Sequence, residues 1–432
     1  MKNEKNNLSR LDFLKQSGLA LGGIGLGVLG GSSVLSSCNR KRKIIPFDLP
    51  KDKVRLGIIG TGQRFQEQII LGLKYLPNFD VIATSDLIPA RLEGGLKYAS
   101  PKAKGYKDYR ELLDRKDLDA VVVCTQLNSH FQIAKDVIDA GIKNVTCEKT
   151  MTYNIEQAIE LEKTVKANNT QFRVSHEHRK NPSVNKMKEM IEQGVIGQVT
   201  HIDTRWDSYT DWRREVVDPN FAELINWRMY KKYCGGLMTE IVTHLVDAVN
   251  YLLDSHPIKA YSSGSIAYWK DGRDTWDNVE AIYDYPNGVK VTAGANKASQ
   301  FEGGYWKIYG TKATLELRMG FHHTLTITPN HKLEGAGELL DGVSGASMKI
   351  IKDKDKKSVL VDDELYASYN DQMYTFYADT LFGYKHFLDM IVNGAPTDIS
   401  VTDGKLTAIS AHMANLSNRN NTIEEWKPEY GG

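Results

Sequence analysis

The chain has 432 residues, of which 41% are hydrophobic and 25% charged, and its 55 lysines and arginines nearly balance its 54 aspartates and glutamates. This composition excludes an intrinsically disordered chain, which needs few apolar residues and a large net charge, and it argues against nucleic-acid binding through bulk positive charge. The length corresponds to roughly two to three domains, and the four cysteines are too few and too scattered for a disulfide framework.

The N-terminal segment predicts an export signal. Residues 2–15 carry four basic side chains, no charge follows until Arg40, and the run between them is apolar and rich in glycine. A glycine-rich run is a poor buried helix, so a cleavable signal fits better than a membrane span. We therefore expect residues 1–37 to be a signal peptide, with an uncleaved anchor as the alternative.

Two short motifs in this segment indicate how the protein is exported and how it is attached to a membrane by a lipid. Residues 35–38 (LSSC) resemble a bacterial lipobox, so we expect Cys38 to be lipidated and residues 38–52 to be a tether to the folded body. Residues 9–15 (SRLDFLK) resemble a twin-arginine signal in which Leu11 replaces the second arginine, so the Tat and Sec routes both stay open. The expected location is the periplasm or the cell surface.

The first strand leads into a glycine-containing turn. Residues 54–60 (VRLGIIG) predict a short buried strand, and residues 66–76 predict the helix that follows it. The G-x-G arrangement between them is typical of a dinucleotide-binding turn, where glycine lets the backbone approach a pyrophosphate at the helix N-terminus. Phe65 stands where the full fingerprint has its third glycine, so the motif alone is weak. The candidate cofactor contacts are Gly60, Gly62, Gln63, Arg64 and Phe65.

The second predicted strand, 79–86, ends in an acidic residue. Asp86 follows the glycine turn by about 25 residues, where a carboxylate usually binds the ribose hydroxyls of NAD. Asp86 therefore favours NAD over NADP, although Arg91 nearby could accommodate a 2′-phosphate. The alternative role for Asp86 is to cap the helix that begins near Pro89.

The alternation continues with strands predicted at 118–124, 144–147 and 171–176 and helices at 131–140 and 155–167. This alternation indicates a parallel sheet with right-handed crossovers, so residues 53–175 are predicted to form a Rossmann domain. Ligands of such sheets bind beyond the carboxyl ends of the strands. The polar residues there are candidate pocket residues: Thr125, Asn128, His130, Glu148, Lys149 and His176.

Together these residues resemble the Gfo/Idh/MocA family of sugar-directed oxidoreductases, named for glucose–fructose oxidoreductase and inositol dehydrogenase. The resemblance extends from residue 54 to about residue 418, and it also includes Glu148-Lys149 and a Trp227-Arg228 pair ahead of a Gly-Gly helix start. The family's usual E-K-P is E-K-T here. The resemblance implies an α/β Rossmann domain that binds NAD, followed by an α+β domain with a large open, mainly antiparallel sheet.

The family's second signature is a helix of the form G-G-x-L-x-D-x-x-x-H-x-x-D, which residues 235–247 match with Glu240 in place of the first aspartate. Residues four apart on a helix share a face, so we expect the side chains of Glu240 and His244 to converge. The resemblance implies that His244 is the general base and acid, that Lys149 polarises the substrate oxygen, and that Glu240 is their partner.

Other residues are candidate carbohydrate contacts, because aromatic faces stack on sugar rings while charged side chains bind hydroxyls. An aromatic and acidic stretch lies at 206–213, and Arg179 occupies a place where the family often has a substrate-side arginine. The predicted substrate-binding residues are His178, Arg179, Trp206, Trp227, Arg228 and Asp247. Packing of the aromatic rings on a sheet face is the alternative.

The segment 176–178 (HEH) alternates on a predicted strand, so His176 and His178 are expected on one face, a spacing compatible with one metal ion. Contacts with sugar hydroxyls, or ordinary packing, explain this pattern better. The sequence therefore predicts no metal site.

The second half predicts antiparallel strands, among them 199–206, 260–268, 278–285, 289–294 and 306–317. We expect residues 176–432 to form the substrate-binding and oligomerisation domain, with one sheet face free for a second subunit in a homodimer or homotetramer. Helices near 384–392 and at 403–418 are expected to pack back on the first domain.

The function predicted from these features is NAD-dependent hydride transfer on a sugar, glycoside or polyol, by an exported lipoprotein that retains its cofactor tightly. The alternative is an NAD-dependent glycoside hydrolase or lyase, which oxidises C3 transiently and eliminates the aglycone. A non-catalytic sugar sensor is disfavoured because Lys149 and His244 are both present. The expected partners are a carbohydrate and a second copy of the chain, with no nucleic acid and no membrane contact except through the lipid.

Overall fold

The computed structural model describes residues 42–320, 323–330, 348–352, 357–361 and 363–431. The elements given below belong to one unit, Lys43–Gly432. The predicted signal peptide 1–37 and the predicted lipidation site Cys38 lie outside the described residues, as does the beginning of the predicted tether.

The first half of the chain forms a parallel sheet, because its strands are short, mostly apolar on both faces and separated by helices. In the described part of the chain this sheet has six strands: β1 Val54–Ile59, β2 Phe79–Ser85, β3 Lys104–Tyr106, β4 Ala120–Val123, β5 Asn144–Glu148 and β6 Gln171–Ser175. Their order is β3-β2-β1-β4-β5-β6. The strand order therefore reverses between β1 and β4, and ligands of open α/β sheets bind at such a switch point.

Two of the helices that connect these strands begin at polar caps. Asp108 accepts a hydrogen bond from Arg110 N, and Asn154 accepts one from Gln157 N, so each satisfies a backbone donor at a helix start. A π-helical turn, Phe65–Ile69, precedes the first helix. The helices are α1 Ile70–Leu73, α2 Pro89–Leu96, α3 Tyr109–Leu113, α4 Leu127–Asp139, α5 Ile155–Ala167 and α6 Pro182–Glu192.

The second half forms a mainly antiparallel sheet, as its alternating strands predict, and β7 and β10 are a parallel pair within it. Its described strands are β7 Val199–Trp206, β8 Lys259–Ser265, β9 Asn278–Asp284, β10 Lys290–Asn296, β11 Gly304–Gly310, β12 Ala313–Arg318, β13 Thr324–Pro329, β14 Met348–Lys352, β15 Lys357–Val361 and β16 Glu424–Glu425. Their order is β14-β15-β13-β12-β11-β7-β10-β9-β8-β16. The predicted fold class is confirmed.

The helices of the second half are α7 Ala222–Ile225, α8 Thr243–Leu253, α9 Glu364–Asn370, α10 Thr375–Asn393 and α11 Val401–Asn420. A π-helical turn, Met238–Val242, leads into α8. Short 3₁₀ turns are formed by Glu177–Lys180, Pro219–Phe221, Trp227–Met229, Pro286–Gly288 and Pro428–Tyr430. None of the described helices combines the length and the apolar character needed to cross a bilayer.

The last long helices return to the parallel sheet, as predicted. Helix α10 is longer than expected, and its Leu381 and Phe387 share one buried core with Leu56 of β1 and Phe65 after it. Helix α11 begins with a capping box between Ser400 and Asp403 and packs against α5 and α8. The core therefore joins both halves of the sequence, and it positions the carboxyl ends of β4, β5 and β6 beside α8.

Candidate active site

The turn after β1 is built around Gly60, whose φ of +95° lies in the left-handed region that favours glycine. A Cβ added to Gly60 would clash with the carbonyl oxygen of Cys124 at the end of β4. The Gly60 N–H donates to the carbonyl of Ser85 at the end of β2, over 2.8 Å. Glycine therefore lets the ends of β1, β2 and β4 meet closely at the switch point, and Gly62, two residues further on, is the partly exposed glycine of the turn.

Asp86 organises this turn from the end of β2. Its Oδ2 accepts a hydrogen bond from Thr61 N, and its Oδ1 accepts one from Ile88 N just before α2, each over 2.9 Å. Burial raises the pKa of this carboxyl, and the two backbone donors oppose that shift. The N-cap residue of α2 is Ile88, so Asp86 does not cap this helix as the alternative role required; its carboxylate instead binds the turn just before the helix. The ribose contact of Asp86 stays a prediction. Arg91 lies beside the turn, since a Cβ on Gly62 would be 3.5 Å from its Nη1.

Of the three candidate cofactor contacts after β4, Thr125 and Asn128 bind neighbouring residues, and His130 is buried. The Thr125 hydroxyl accepts from Ser129 Oγ at 2.7 Å, and Asn128 N donates to the carbonyl of Tyr233 in the second half of the chain. His130 is buried, and its ring nitrogens lie 2.9 Å from the Thr150 carbonyl and 3.1 Å from the Thr125 carbonyl. The prediction that His130 contacts the cofactor is wrong, because helix α4 begins earlier than expected and turns this ring toward the backbone of two loops.

Arg64 leaves the glycine turn and reaches across the ends of β5 and β6. Its Nε lies 2.9 Å from Glu148 Oε1, and its Nη2 pairs with Glu177. Its guanidinium lies 5.1 Å from the centre of the Phe376 ring. The side chain of Phe65, which was predicted to contact the cofactor, is instead fully buried in the core.

Lys149 extends from the end of β5 toward the second half of the chain. Its Nζ donates to the Glu240 carbonyl at 2.9 Å and lies 3.8 Å from the Glu240 Oε2. Arg228 Nε donates to the same carboxylate oxygen at 2.9 Å. Burial lowers the pKa of Lys149, and the Glu240 carboxylate opposes that shift. The peptide bond from Lys149 to Thr150 is cis. The structure thus brings the side chains of Lys149 and Glu240 together, as predicted from the sequence.

His244 lies in the first turn of α8, and its carboxylate partner was not predicted. Its Nδ1 lies 3.8 Å from Glu177 Oε2. The expectation that Glu240 also accompanies His244 is wrong within the described residues, because the Glu240 carboxylate is held by Lys149 and Arg228. Burial lowers the pKa of His244 well below its ordinary value, and the Lys149 ammonium lowers it further.

The segment 176–178 does not continue a strand, contrary to the prediction. Strand β6 ends at Ser175, and Glu177–Lys180 form a 3₁₀ turn. The turn nevertheless buries both imidazoles near α8, with ring centres 6.1 Å (His176) and 5.5 Å (His178) from that of His244. The signal that could have identified Glu177 was its place between two histidines at a strand end.

Arg179 and Asp247, both predicted to bind substrate, bind each other instead. Arg179 Nε and Nη2 donate to the two carboxylate oxygens of Asp247 at 2.9 and 2.8 Å, and Nη1 donates to Asp403 at 3.0 Å. Asp247 also accepts from the Thr407 hydroxyl at 3.1 Å. These hydrogen bonds use both carboxylate oxygens in the interior, so the pair joins the turn after β6 to α8 and α11, and the prediction is wrong for both residues.

Aromatic rings line the pocket beside these groups. The Trp206 ring at the end of β7 lies 5.6 Å from the His244 ring and 5.8 Å from the His178 ring. The Arg228 guanidinium lies 4.2 Å from the Trp227 ring, and its side chain keeps about a third of its surface exposed. Trp206 and His178 therefore lie beside His244, and Trp227 packs against Arg228; their contacts with a substrate stay predictions.

Lys297, at the end of β10, is a buried cation that the sequence did not single out. Its Nζ donates to Ser208 Oγ at 2.7 Å and lies 4.6 Å from the Trp212 ring. Burial lowers its pKa to about 7, and the nearby Arg228 guanidinium contributes to that shift. No motif marks this lysine, because its environment comes from strands that are distant in sequence.

The arrangement defines a class of protein: a dinucleotide-binding parallel sheet whose strand ends face a lysine, a histidine and aromatic rings. One family model, described as "Oxidoreductase family, NAD-binding Rossmann fold", matches residues 54–176, and a second, "GFO/IDH/MocA C-terminal domain", matches residues 184–316. Together they match more than half of the chain. The chain belongs to the Gfo/Idh/MocA family of oxidoreductases.

Several named relatives match parts of the chain. Levoglucosan dehydrogenase of Pseudarthrobacter phenanthrenivorans is 25% identical over 231 residues, which cover 48% of this chain and 57% of the relative. Myo-inositol 2-dehydrogenase of Thermotoga maritima is 28% identical over 216 residues, covering 49% and 59%. The uncharacterized oxidoreductase YrbE of Bacillus subtilis is 26% identical over 211 residues, covering 48% and 56%. The chain thus spans less than two thirds of the length of each of these relatives.

Solved structures share the whole architecture. Levoglucosan dehydrogenase in complex with NADH and levoglucosan superposes with a TM-score of 0.70 at 18% identity, covering 87% of this chain and 99% of that one. The WlbA dehydrogenase from Bordetella pertussis, in complex with NADH and UDP-GlcNAcA, gives 0.68 at 16% identity, covering 88% and 99%. At these identities the likeness shows the fold.

Proposed function

We propose that the protein is a nicotinamide-dependent oxidoreductase that acts on a sugar, glycoside or polyol by hydride transfer. The observation that carries this proposal is the meeting of Lys149, from the parallel sheet, with His244, from helix α8. The Lys149 Nζ donates to the Glu240 carbonyl at 2.9 Å, in the π-helical turn that leads into α8 and four residues before His244. A cation and a neutral base therefore occupy one buried region at the carboxyl ends of the strands.

The glycine turn fits a dinucleotide, because a side chain at Gly60 would clash with the Cys124 carbonyl and because Gly62, later in the turn, is partly exposed. When bound, the nicotinamide ring supplies the carbon that accepts or donates the hydride. The Asp86 carboxylate favours NAD, since it would repel the 2′-phosphate of NADP. The residues proposed to hold the nucleotide are Gly60, Gly62, Gln63, Arg64, Asp86, Thr125, Asn128 and Glu148.

The proton is handled by His244 and Lys149. Because burial keeps His244 neutral, its imidazole can take the proton of a substrate hydroxyl as the hydride leaves the carbinol carbon. Glu177, 3.8 Å from Nδ1, then stabilises the imidazolium. The Lys149 ammonium donates to the substrate oxygen and stabilises its developing charge, while Glu240 holds that ammonium in place.

The substrate class follows from the lining of the pocket. Trp206 offers a ring face beside His244, and Arg228 offers a partly exposed guanidinium for hydroxyl groups. Relatives named for levoglucosan and inositol support a carbohydrate or polyol.

A panel of sugars, glycosides and polyols tests this function through nicotinamide reduction by the purified full chain. Lys149→Met and His244→Gln are each expected to lower kcat about 100-fold or more. Lys135→Met is the matched control, because Lys135 pairs with Glu160 on the outer surface, and it should keep full activity. Turnover by both site variants at the control rate would contradict the proposed roles.

A second function, net glycoside cleavage, is favoured by the number of proton-transferring groups near His244. Besides Lys149 and His244, the region holds His176, whose ring centre lies 6.1 Å from that of His244, and Glu177, whose Oε2 lies 3.8 Å from His244 Nδ1. In this reaction C3 is oxidised transiently, the C2 proton is removed, the aglycone leaves, water adds, and C3 is reduced again. Release of nitrophenol from nitrophenyl glycosides without added NAD would support it, and strict dependence on added NAD would support the dehydrogenase.

We further propose that the exported, Cys38-anchored protein carries its nucleotide tightly bound from before export and regenerates it within each cycle. Mass spectrometry of the small molecules released on denaturation should then detect NAD. Cys38→Ala should move the protein from the membrane fraction to the soluble fraction. Purified protein without nucleotide would contradict cofactor retention, and an unchanged distribution of the variant would contradict the lipid anchor.

The outer face of the second sheet is proposed to join two or four copies of the chain. Tyr261 of β8 and Ile282 of β9 are paired in register there and expose 43% and 48% of their surface. Exposed apolar patches of this kind commonly mark protein interfaces. Light scattering should show an oligomer that Ile282→Asp dissociates and Val217→Asp, at another exposed site, does not.

A further inference from the structure

Three ligand-forming side chains from distant parts of the chain converge beside the histidines of the pocket. His178 lies in the 3₁₀ turn after β6, His323 directly precedes β13, and Asp379 lies in the first turns of α10. One nitrogen or oxygen from each lies within 4.8 Å of those of the others. Two imidazoles and one carboxylate form a donor set used for zinc and for iron(II) in proteins.

The carboxylate of this group is held in one orientation. Asp379 Oδ1 accepts hydrogen bonds from the Tyr366 hydroxyl and from Asn181 Nδ2, the latter at 3.2 Å. Its Oδ2 makes no hydrogen bond within the described residues and points toward His178, whose Nδ1 is 3.4 Å away. Outer partners that fix one carboxylate oxygen and leave the other to the metal are typical of metal sites.

His178 is buried among rings, and its Nδ1 approaches Asp379 Oδ2 to 3.4 Å. Neither of its ring nitrogens makes a hydrogen bond to the described part of the chain. Trp306 and Phe376 pack against it with ring centres at 5.3 and 5.9 Å. The buried imidazole and the buried carboxylate oxygen face each other at 3.4 Å without a well-formed hydrogen bond, which is costly, and one divalent cation bound by both would satisfy them.

We propose that His178, His323 and Asp379 bind one divalent transition-metal ion of the zinc or iron(II) class. Three protein ligands leave coordination positions open, and the His178 ring lies 5.5 Å from the His244 ring. The ion holds substrate oxygens beside His244; this role rests on the proposed function, whereas the metal site itself does not.

Metal content and spectroscopy of the full chain, prepared without a histidine tag, test the site. After treatment with a chelator, the protein is titrated with Zn²⁺ and, separately, with Co²⁺, whose visible absorption reports imidazole and carboxylate ligation. We expect one tightly bound equivalent per chain. Asp379→Asn keeps the shape and one acceptor oxygen of the side chain, and His323→Ala changes a partly exposed residue; both should remove stoichiometric binding.

Two further variants sharpen the test. Tyr366→Phe removes the outer hydrogen bond to Asp379, together with the hydroxyl's contacts to Asn181 and the Thr375 carbonyl, and should weaken binding about 10- to 100-fold. His256→Gln, which changes a histidine stacked on Trp426 elsewhere, should bind metal like the wild type. Absence of stoichiometric binding in the wild type, or binding unchanged in both Asp379→Asn and His323→Ala, would overturn the metal site.

The two proposals can fail separately. Nicotinamide-dependent sugar turnover by a protein that binds no metal would overturn the metal site and leave the proposed function intact. Stoichiometric metal binding that Asp379→Asn abolishes, in a protein that turns over no sugar or glycoside, would support the metal site and count against the proposed function.

Discussion

Substitution of Asp247 tests whether the buried ion pair of Arg179 and Asp247 stabilises the fold or binds the substrate. The sequence assigned both residues to the substrate, whereas the structure uses them to join the turn after β6 to helix α8. Asp247→Asn removes the negative charge but keeps the size and one oxygen of the side chain. The change therefore separates a structural role from a role in substrate binding.

The expected cost follows from the contacts. Two hydrogen bonds of 2.8 and 2.9 Å join side chains that are 7% and 1% exposed. Breaking a buried pair by removing one charge costs about 3–5 kcal/mol, since it leaves the other charge without compensation. Arg179 keeps Asp403 at 3.0 Å, and the asparagine oxygen keeps one acceptor. We therefore expect the lower end, about 3 kcal/mol, which is roughly a hundredfold in the folding equilibrium.

Urea unfolding followed by tryptophan fluorescence measures this cost, with activity assays on the same preparations. Asp247→Asn should lower the unfolding midpoint strongly, while KM for the best substrate stays near the wild-type value. Glu160→Gln is the matched control, because its pair with Lys135 is 54% and 34% exposed, and it should change stability by no more than about 1 kcal/mol. Wild-type stability of Asp247→Asn together with a large rise in KM would refute the structural role.

Three further changes have defined outcomes. Gly60→Ala should destabilise the protein by at least about 2 kcal/mol in thermal or urea unfolding, because its positive φ and the nearby carbonyl of Cys124 exclude a side chain, whereas Gly62→Ala meets only ordinary contacts and should cost less. Lys297, with its pKa lowered by burial to about 7, is deprotonated in the folded state before the unfolded state, whose lysine titrates near pH 10.4. Stability should therefore rise between these pH values by about 1 kcal/mol per pH unit, and Lys297→Met should lose that rise. Ser400→Ala removes the cap of α11 and should cost about 1 kcal/mol in urea unfolding.

Each of these outcomes has a result that would contradict it. Equal stability of the two glycine variants would show that the turn tolerates a side chain at either position. A parallel dependence of stability on pH in Lys297→Met and the wild type would show that this lysine is charged when folded. An unfolding midpoint of Ser400→Ala equal to that of the wild type would show that the cap contributes nothing.

The amino-acid sequence by itself was enough to predict β1, β2, β4, β5 and β6 of the parallel sheet, the glycine turn and the fold class, but not the short strand β3. These features depend on local patterns: apolar runs with period two or 3.6, glycine at a strand end, and polar residues just beyond it. Lys149 and His244 were also identified, since each lies next to a recognisable motif. The long helix α10 was only partly predicted, because its first turns carry polar and aromatic residues without a clear start signal.

Only the tertiary structure decided which charged groups face one another. Glu177 rather than Glu240 accompanies His244, Arg179 is held by Asp247, and Asp379 comes from α10 to meet His178. These partners are 67, 68 and 201 residues apart in sequence, respectively. No local pattern encodes such a pair, because burial and charge compensation are satisfied only when the folded core brings distant segments together.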